Sequence, residues 1–178
     1  MISNIFYVIN QRCSIPANQS VLIRKPSAED GAKVWELVKH AEVLDVNSAY
    51  SYIMLCDLFR GTCAVAEQNG KIVGFVSSFH PSERENTLFI WQIAVAKSHR
   101  GQGIGISLLK ELLERDENSE VRTIETTISP SNTPSKSLFG RLAKELGSTI
   151  EQYNGYSSNL FPEGAHEEEK WIRIQLRS

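Results

Sequence analysis

No segment of this chain holds the ~20 consecutive apolar residues that a membrane span requires. The apolar run from Ile5 to Ile9 is too short, and lacks the basic flank, for a secretory leader. A soluble, cytoplasmic protein with no membrane partner is the expectation. Cysteine is scarce: Cys13, Cys56 and Cys63 are odd in number and form neither a CxxC pair nor a zinc spacing, which argues against a disulfide framework or a metal site and for reduced thiols. An excess of either charge is also missing. Nineteen Lys plus Arg stand against 21 Asp plus Glu, a net charge of −2, so no basic surface is predicted for nucleic acid, and any polyanion must be met locally. No repeat, low-complexity tract or linker interrupts the chain, and 178 residues at 41% hydrophobic content are ample for one buried core. Residues 1–20 show no sustained period and read as an N-terminal arm, with 21–178 as a single domain.

The residues that are present alternate between strand and helix signals. Val21 to Lys25 is a short strand stopped by Pro26, and Ser27 with Asp30 is an N-cap signature for a helix over about 28–40 with Val34, Trp35, Leu37 and Val38 inside. Leu44 to Ser48 reads as a loop that caps a second helix through Asn47 or Ser48, with Tyr52, Leu55, Leu58 and Phe59 as its inner stripe. Thr62 to Glu67 and Lys71 to Phe79 are β-rich and joined by Asn69-Gly70, a strong hairpin signal, and Thr87 to Ala96 supplies a third strand beside them. A helix over about 104–115 places Ile104, Leu108, Leu109, Leu112 and Leu113 inside, with Lys110, Glu111, Glu114 and Arg115 outside. A strand from Val121 to Ile128 follows, then a helix from Pro134 to Leu146 ended by Gly147. A more polar stretch with Tyr153, Tyr156, Phe161 and His166 leads to a closing strand from Lys170 to Leu176. Hairpins first and a β-α-β crossover later predict an α/β fold with a mixed, mostly antiparallel central sheet flanked by helices.

The segment from Trp91 to Gly105 is a strand running into a basic, glycine-rich turn and then a helix. Gly101, Gly103 and Gly105 remove the Cβ at alternate positions, and the helix start offers unpaired N–H groups, so the turn reads as a phosphate cradle. A dinucleotide fingerprint fails because its third glycine would be Ile106, and a P-loop fails because Ile106-Ser107 offers no lysine. What remains, Arg100-Gly101-Gln102-Gly103-Ile104-Gly105, fits Arg/Gln-x-x-Gly-x-Gly/Ala. Here the chain resembles the GCN5-related N-acetyltransferase superfamily. That resemblance implies acetyl-CoA as co-substrate, with pyrophosphate on residues 100–105, pantetheine along Ile93, Ala94 and Val95, and a second cofactor segment holding Asn132, Ser135 and Phe139. It also implies an oxyanion donor in the strand amides near Ala94 or Val95. Two family features are absent: the helix tyrosine that often protonates the leaving thiolate is Phe139, and a strand position where relatives place a glutamate base is Trp91.

Over roughly residues 22–176 the chain further resembles the L-2,4-diaminobutyrate N-acetyltransferases of ectoine biosynthesis, a response to osmotic stress. The segments that carry this are Leu44-Asp-Val-Asn-Ser-Ala-Tyr50, Thr87-Leu-Phe-Ile-Trp-Gln-Ile-Ala-Val95, Glu125-Thr-Thr-Ile-Ser-Pro-Ser-Asn132 and Gly164-Ala-His-Glu-Glu-Glu169. Acetylation of a γ-amino group and a homodimer are what it implies. A small zwitterion with a second ammonium needs carboxylates, a donor for its own carboxylate and a wall. The candidates are Asp45, Tyr50, Trp91, Thr127, His166 and Glu169 for binding, with Glu125 for ammonium binding and proton acceptance. Glu125 and Thr127 share a strand face by alternation. Asp45 serves equally as a helix cap, Trp91 as core and His166 as part of a solvated acidic loop. Acetylation of another small amine or diamine, and a non-catalytic acetyl-CoA-binding module, stay open as alternatives.

Overall fold

A computed structural model describes residues 20–41, 44–162 and 166–176. Apart from Ser20, the expected N-terminal arm lies outside the described residues. The sheet grows from the hairpin of β2 (Cys63–Gln68) and β3 (Lys71–Phe79), whose turn residues Asn69 and Gly70 have φ of 53° and 75°. A two-residue turn matching strand twist needs positive φ at both positions, which Asn-Gly supplies at little cost. β1 (Leu22–Arg24) pairs with β2, and β4 (Thr87–Val95) pairs with β3, all antiparallel. After helix α3 (Ile104–Leu113) the chain crosses over to β5 (Thr123–Ile128), which runs parallel to β4. Helix α4 (Thr133–Glu145), β6 (Ile150–Tyr156) and β7 (Glu169–Gln175) complete the seven strands in the order β1-β2-β3-β4-β5-β7-β6.

Helices cover both faces. Leu88, Ile90 and Ile124 share one core with Leu108, Leu109 and Leu112 of α3 and Phe139 and Leu142 of α4. Val65, Phe75 and Ala94 share the other with Val34 and Val38 of α1 (Gly31–Lys39) and Tyr52 and Cys56 of α2 (Ala49–Asp57). The mixed, mostly antiparallel sheet matches the expected fold class.

Three expectations need correction. Helix α2 stops at Asp57, so Leu58 and Phe59 leave its inner stripe and are exposed, while Cys56 joins Tyr52 and Leu55 inside. The polar stretch, predicted without a strand, holds β6: apart from Gly155 its residues are exposed, so no buried alternation marks it. Arg115, expected on the outer face of α3, is 7% exposed. Helix α3 ends before it, and its guanidinium turns inward to donate to the carbonyl oxygens of Arg60, Gly61 and Cys63 at 3.0, 2.8 and 2.9 Å. Its other nitrogens hold Glu111 at 3.0 and 2.6 Å. A planar fork with five donors can close this loop, which an ammonium cannot. Arg115→Ala should therefore cost about 3 kcal/mol by urea denaturation, and Arg115→Lys should recover only part of it.

Strands β4 and β5 pair only at Thr87↔Thr123, Leu88↔Ile124 and Phe89↔Glu125. Beyond Phe89 they part.

Candidate active site

The parted strands open a cleft of about 1050 Å³ whose walls include Ile90 to Ile93 of β4 and Thr126 to Ser129 beyond the last β4–β5 pair. The Thr126 hydroxyl donates to the Ile90 carbonyl at 2.9 Å, bridging the strands just past that pair. A β-bulge shapes the β4 wall: the register passes from Ser77↔Gln92 to Ser78↔Ile90 and skips Trp91. Such a bulge re-aims a side chain. Trp91 is 45% exposed while Ile90 and Gln92 on either side are buried, so it is cleft wall and not core.

One end of the cleft is acidic. His166 Nε2 lies 3.5 Å from Asp45 Oδ2 and 3.7 Å from Glu169 Oε1, and all three residues line the cleft. The second ring nitrogen, Nδ1, is 2.8 Å from the Glu167 carbonyl oxygen, and the ring stacks on Phe161 at 4.4 Å. Burial pushes the Glu169 carboxyl above the usual glutamate range; a hydrogen bond from Thr127 and the nearby His166 oppose this, while Asp45 and Glu167 add to it. Asp45, Trp91, Thr127, His166 and Glu169 thus come together from an interhelix loop, β4, β5 and the β7 end of the chain. Tyr50 does not join them: it sits in the first turn of α2, 68% exposed and off the cleft wall.

Glu125 is also placed differently from the expectation. It is 1% exposed and is not part of the cleft wall. One oxygen takes the Arg173 Nε at 2.9 Å and the Tyr153 hydroxyl at 3.2 Å, and the other takes Arg84. Burial alone would raise this carboxyl, but hydrogen bonds and charge from Arg173 and Arg84 outweigh it and hold the group below the usual carboxylate range. A carboxylate bound by two guanidiniums and a phenol is a structural anion, poorly suited to accept a substrate proton.

The other end of the β4 path carries the glycine turn. Gly101 and Gly103 have φ of 77° and 82°, and the space a Cβ would occupy at each is open. No side chain caps α3 among the described residues, so its first-turn N–H groups are available to an anion. Ile104 and Gly105 are buried at that helix start. Arg100 is committed elsewhere: its Nη2 donates to the Ala41 carbonyl and its Nε to the Val95 carbonyl, each at 3.2 Å, which ties the turn to the end of α1 and to β4. Gln102 donates to the Ser98 carbonyl at 3.2 Å. Ile93, Asn132, Ser135 and Phe139 line the cleft, with the Asn132 side chain capping α4 by accepting the Ser135 N–H at 3.1 Å. Gln92 and Asn47 line it too and were missing from the candidates. The signal for Gln92 was available: a glutamine inside an apolar strand must find a partner when buried.

The profile of the Acetyltransferase (GNAT) family matches residues 32–143. The chain is 42% identical over 173 residues, 96% of its length and 97% of the relative's, to the L-2,4-diaminobutyric acid acetyltransferase of Shouchella clausii. It is 46% identical over 155 residues, 87% of its length and 90% of the relative's, to that of Marinococcus halophilus. Its fold superposes with a TM-score of 0.85, at 44% identity and covering 88% of this chain and 95% of the other, on diaminobutyrate acetyltransferase EctA from Paenibacillus lautus in complex with its substrate L-2,4-diaminobutyric acid and coenzyme A.

The ion cluster makes its own prediction. Because the folded Glu125 carboxyl is depressed, its stabilisation is complete above the ordinary glutamate value of ~4.3 and is lost as pH falls through the lower folded value. Glu125→Gln should destabilise by about 2 kcal/mol at pH 7 and lose less stability than the parent between pH 6 and pH 3, as read by denaturant titrations.

Proposed function

Since the chain belongs to the acetyltransferase (GNAT) family, we propose that it transfers the acetyl group of acetyl-CoA to the γ-nitrogen of L-2,4-diaminobutyrate, a step of ectoine biosynthesis. The observation that carries this reading is the convergence of Asp45, His166 and Glu169 at one end of a cleft whose β4 wall leads to the glycine turn. Two carboxylates suit an acceptor with two ammonium groups, and Trp91 closes the wall along its short side chain. At the donor end, the turn 100–105 takes the pyrophosphate through backbone N–H groups. Ile93, Ala94 and Val95 pair with the pantetheine arm, and Asn132, Ser135 and Phe139 flank it.

An alkylammonium with a pKa of ~10.4 is only ~10⁻³ free base at pH 7.4, so freeing the nitrogen lone pair costs about 4 kcal/mol. Glu169, not Glu125, is the proton acceptor, because it faces the cleft and its raised carboxyl is the better base. The neutral nitrogen forms a C–N bond at the thioester carbonyl and the C–S bond breaks. The nitrogen sheds its second proton, the thiolate takes one, and one proton is released overall. A strand N–H near Ala94 or Val95 stabilises the oxyanion, while Phe139 has no proton to offer the thiolate.

Incubation with acetyl-CoA and L-2,4-diaminobutyrate should release free thiol and yield a γ-acetylated product by mass analysis; no acetylated diamine would end the reading, and a faster kcat/KM on another diamine would redirect it. Glu169→Gln should lower kcat by about a hundredfold with the acetyl-CoA KM unchanged. In the parent, kcat/KM should fall with acidification at a pH above the ordinary glutamate range, because Glu169 must be ionised to work and its carboxyl is raised. The variant should lose that limb.

A homodimer is supported by the exposed Ile150, Tyr153 and Tyr156 on edge strand β6, and light scattering at micromolar concentration should give twice the 20.0 kDa chain mass. Work in the reducing cytoplasm is supported by Cys56 and Cys63, which are free and buried.

A further inference from the structure

Beneath the acidic end of the cleft lies a polar connection that the proposed chemistry does not use. Gln92 is 6% exposed and Tyr52 is fully buried. The Tyr52 hydroxyl donates to Gln92 Oε1 at 3.1 Å, Gln92 Nε2 donates to the Asp45 carbonyl oxygen at 2.9 Å, and the Asn47 N–H donates to the Tyr52 hydroxyl oxygen at 3.4 Å. Both ends of the glutamine amide and both roles of the phenol are thereby used. The ring of Tyr52 is fixed by an edge contact with Phe75 at 6.2 Å, and Gln92 is fixed on β4 opposite Ser77. The connection begins in the sheet and ends on two backbone groups of the loop that carries Asp45.

That loop needs an anchor. Asp45 is exposed, and among the described residues its carboxylate is held only by a 3.5 Å approach to His166. Ser48, the cap of α2, fixes the loop's far end by accepting the Ser51 N–H, but does not reach Asp45. We infer that Tyr52 and Gln92 are positioning residues that set the Asp45 loop over the cleft for the diamine acceptor. This rests on the acetyl-transfer reading. Neither side chain exchanges a proton with substrate; each acts through the backbone of residues 45 and 47. Removing either leaves a buried partner without its hydrogen bond and frees the loop, so the two behave as one unit.

The test compares Tyr52→Phe, Gln92→Leu and the double variant with the parent. Each single variant should raise the KM for L-2,4-diaminobutyrate about tenfold, the factor expected from one lost buried hydrogen bond, with the acetyl-CoA KM within twofold. The double variant should be no worse than the poorer single. An unchanged diamine KM, both KM values rising together, or multiplicative effects in the double variant would overturn the assignment. Tyr52→Phe keeps the ring against Phe75 and so preserves packing if Gln92→Leu misfolds. Hydrogen exchange of the Asn47 amide separates this inference from the one beneath it: it should quicken at least tenfold in Tyr52→Phe whatever the substrate turns out to be. Unaltered exchange would refute the anchor even in an active enzyme.

Discussion

The cleft in this chain depends on two parallel strands that stop pairing. β4 and β5 share three register pairs and then diverge, which leaves backbone hydrogen-bonding groups of two central strands facing a cleft and not each other. Such groups are costly to leave unsatisfied in a sheet interior, so a persistent gap is tolerated where water or a ligand can reach them. The last shared pair is Phe89↔Glu125, and Glu125 is the residue bound by Arg84 from the β3–β4 loop and Arg173 from β7. Arg84 in turn lies over the Trp171 ring at 4.3 Å, and Trp171 meets Phe89 at 5.4 Å. The ion cluster therefore clamps the point of divergence. Glu125 is the fastening that keeps the cleft's apex closed.

Above that apex the bulge at Trp91 does a second job. A regular strand would alternate its side chains, and an apolar β4 would send a large indole into one of the two cores. One skipped residue in the register exposes the indole to the cleft instead, while the glutamine beside it turns inward to Tyr52. The cleft wall at Trp91 and the hydrogen-bonded link from Gln92 to the Asp45 loop are adjacent consequences of the same backbone irregularity.

How much of this was legible in the sequence follows from what each feature requires. The hairpin and the glycine turn depend on single residues whose backbone must adopt positive φ, and Asn69, Gly70, Gly101 and Gly103 announce them locally. Amphipathic helices α1, α3 and α4 announce themselves by period. The bulge cannot be read locally, because it is a mismatch of one residue between two strands. The fate of Glu125 cannot either, since its partners Arg84 and Arg173 are 41 and 48 residues away in the chain. Strand β6 is exposed along nearly its whole length and shows no pattern to detect. Arg115 reads as a surface residue by helical period only while the helix is taken to run through it.

On the proposed acetyl transfer, the absence of the usual acid and base at Phe139 and Trp91 shifts the proton problem to the acidic end of the cleft. A useful base there must be ionised near neutrality yet hold a proton better than a solvated carboxylate. Burial of Glu169 gives the second property, and His166 with the Thr127 hydroxyl preserves the first by favouring the ionised form. Asp45 works against ionisation, and an arriving ammonium between the two carboxylates would cancel that repulsion. On the proposed reading, the acceptor's own positive charge readies Glu169 to deprotonate it, and a neutral amine finds Glu169 less prepared. On that reading, preference for a doubly charged diamine over a simple amine rests on this electrostatic arrangement as much as on the shape of the wall at Trp91.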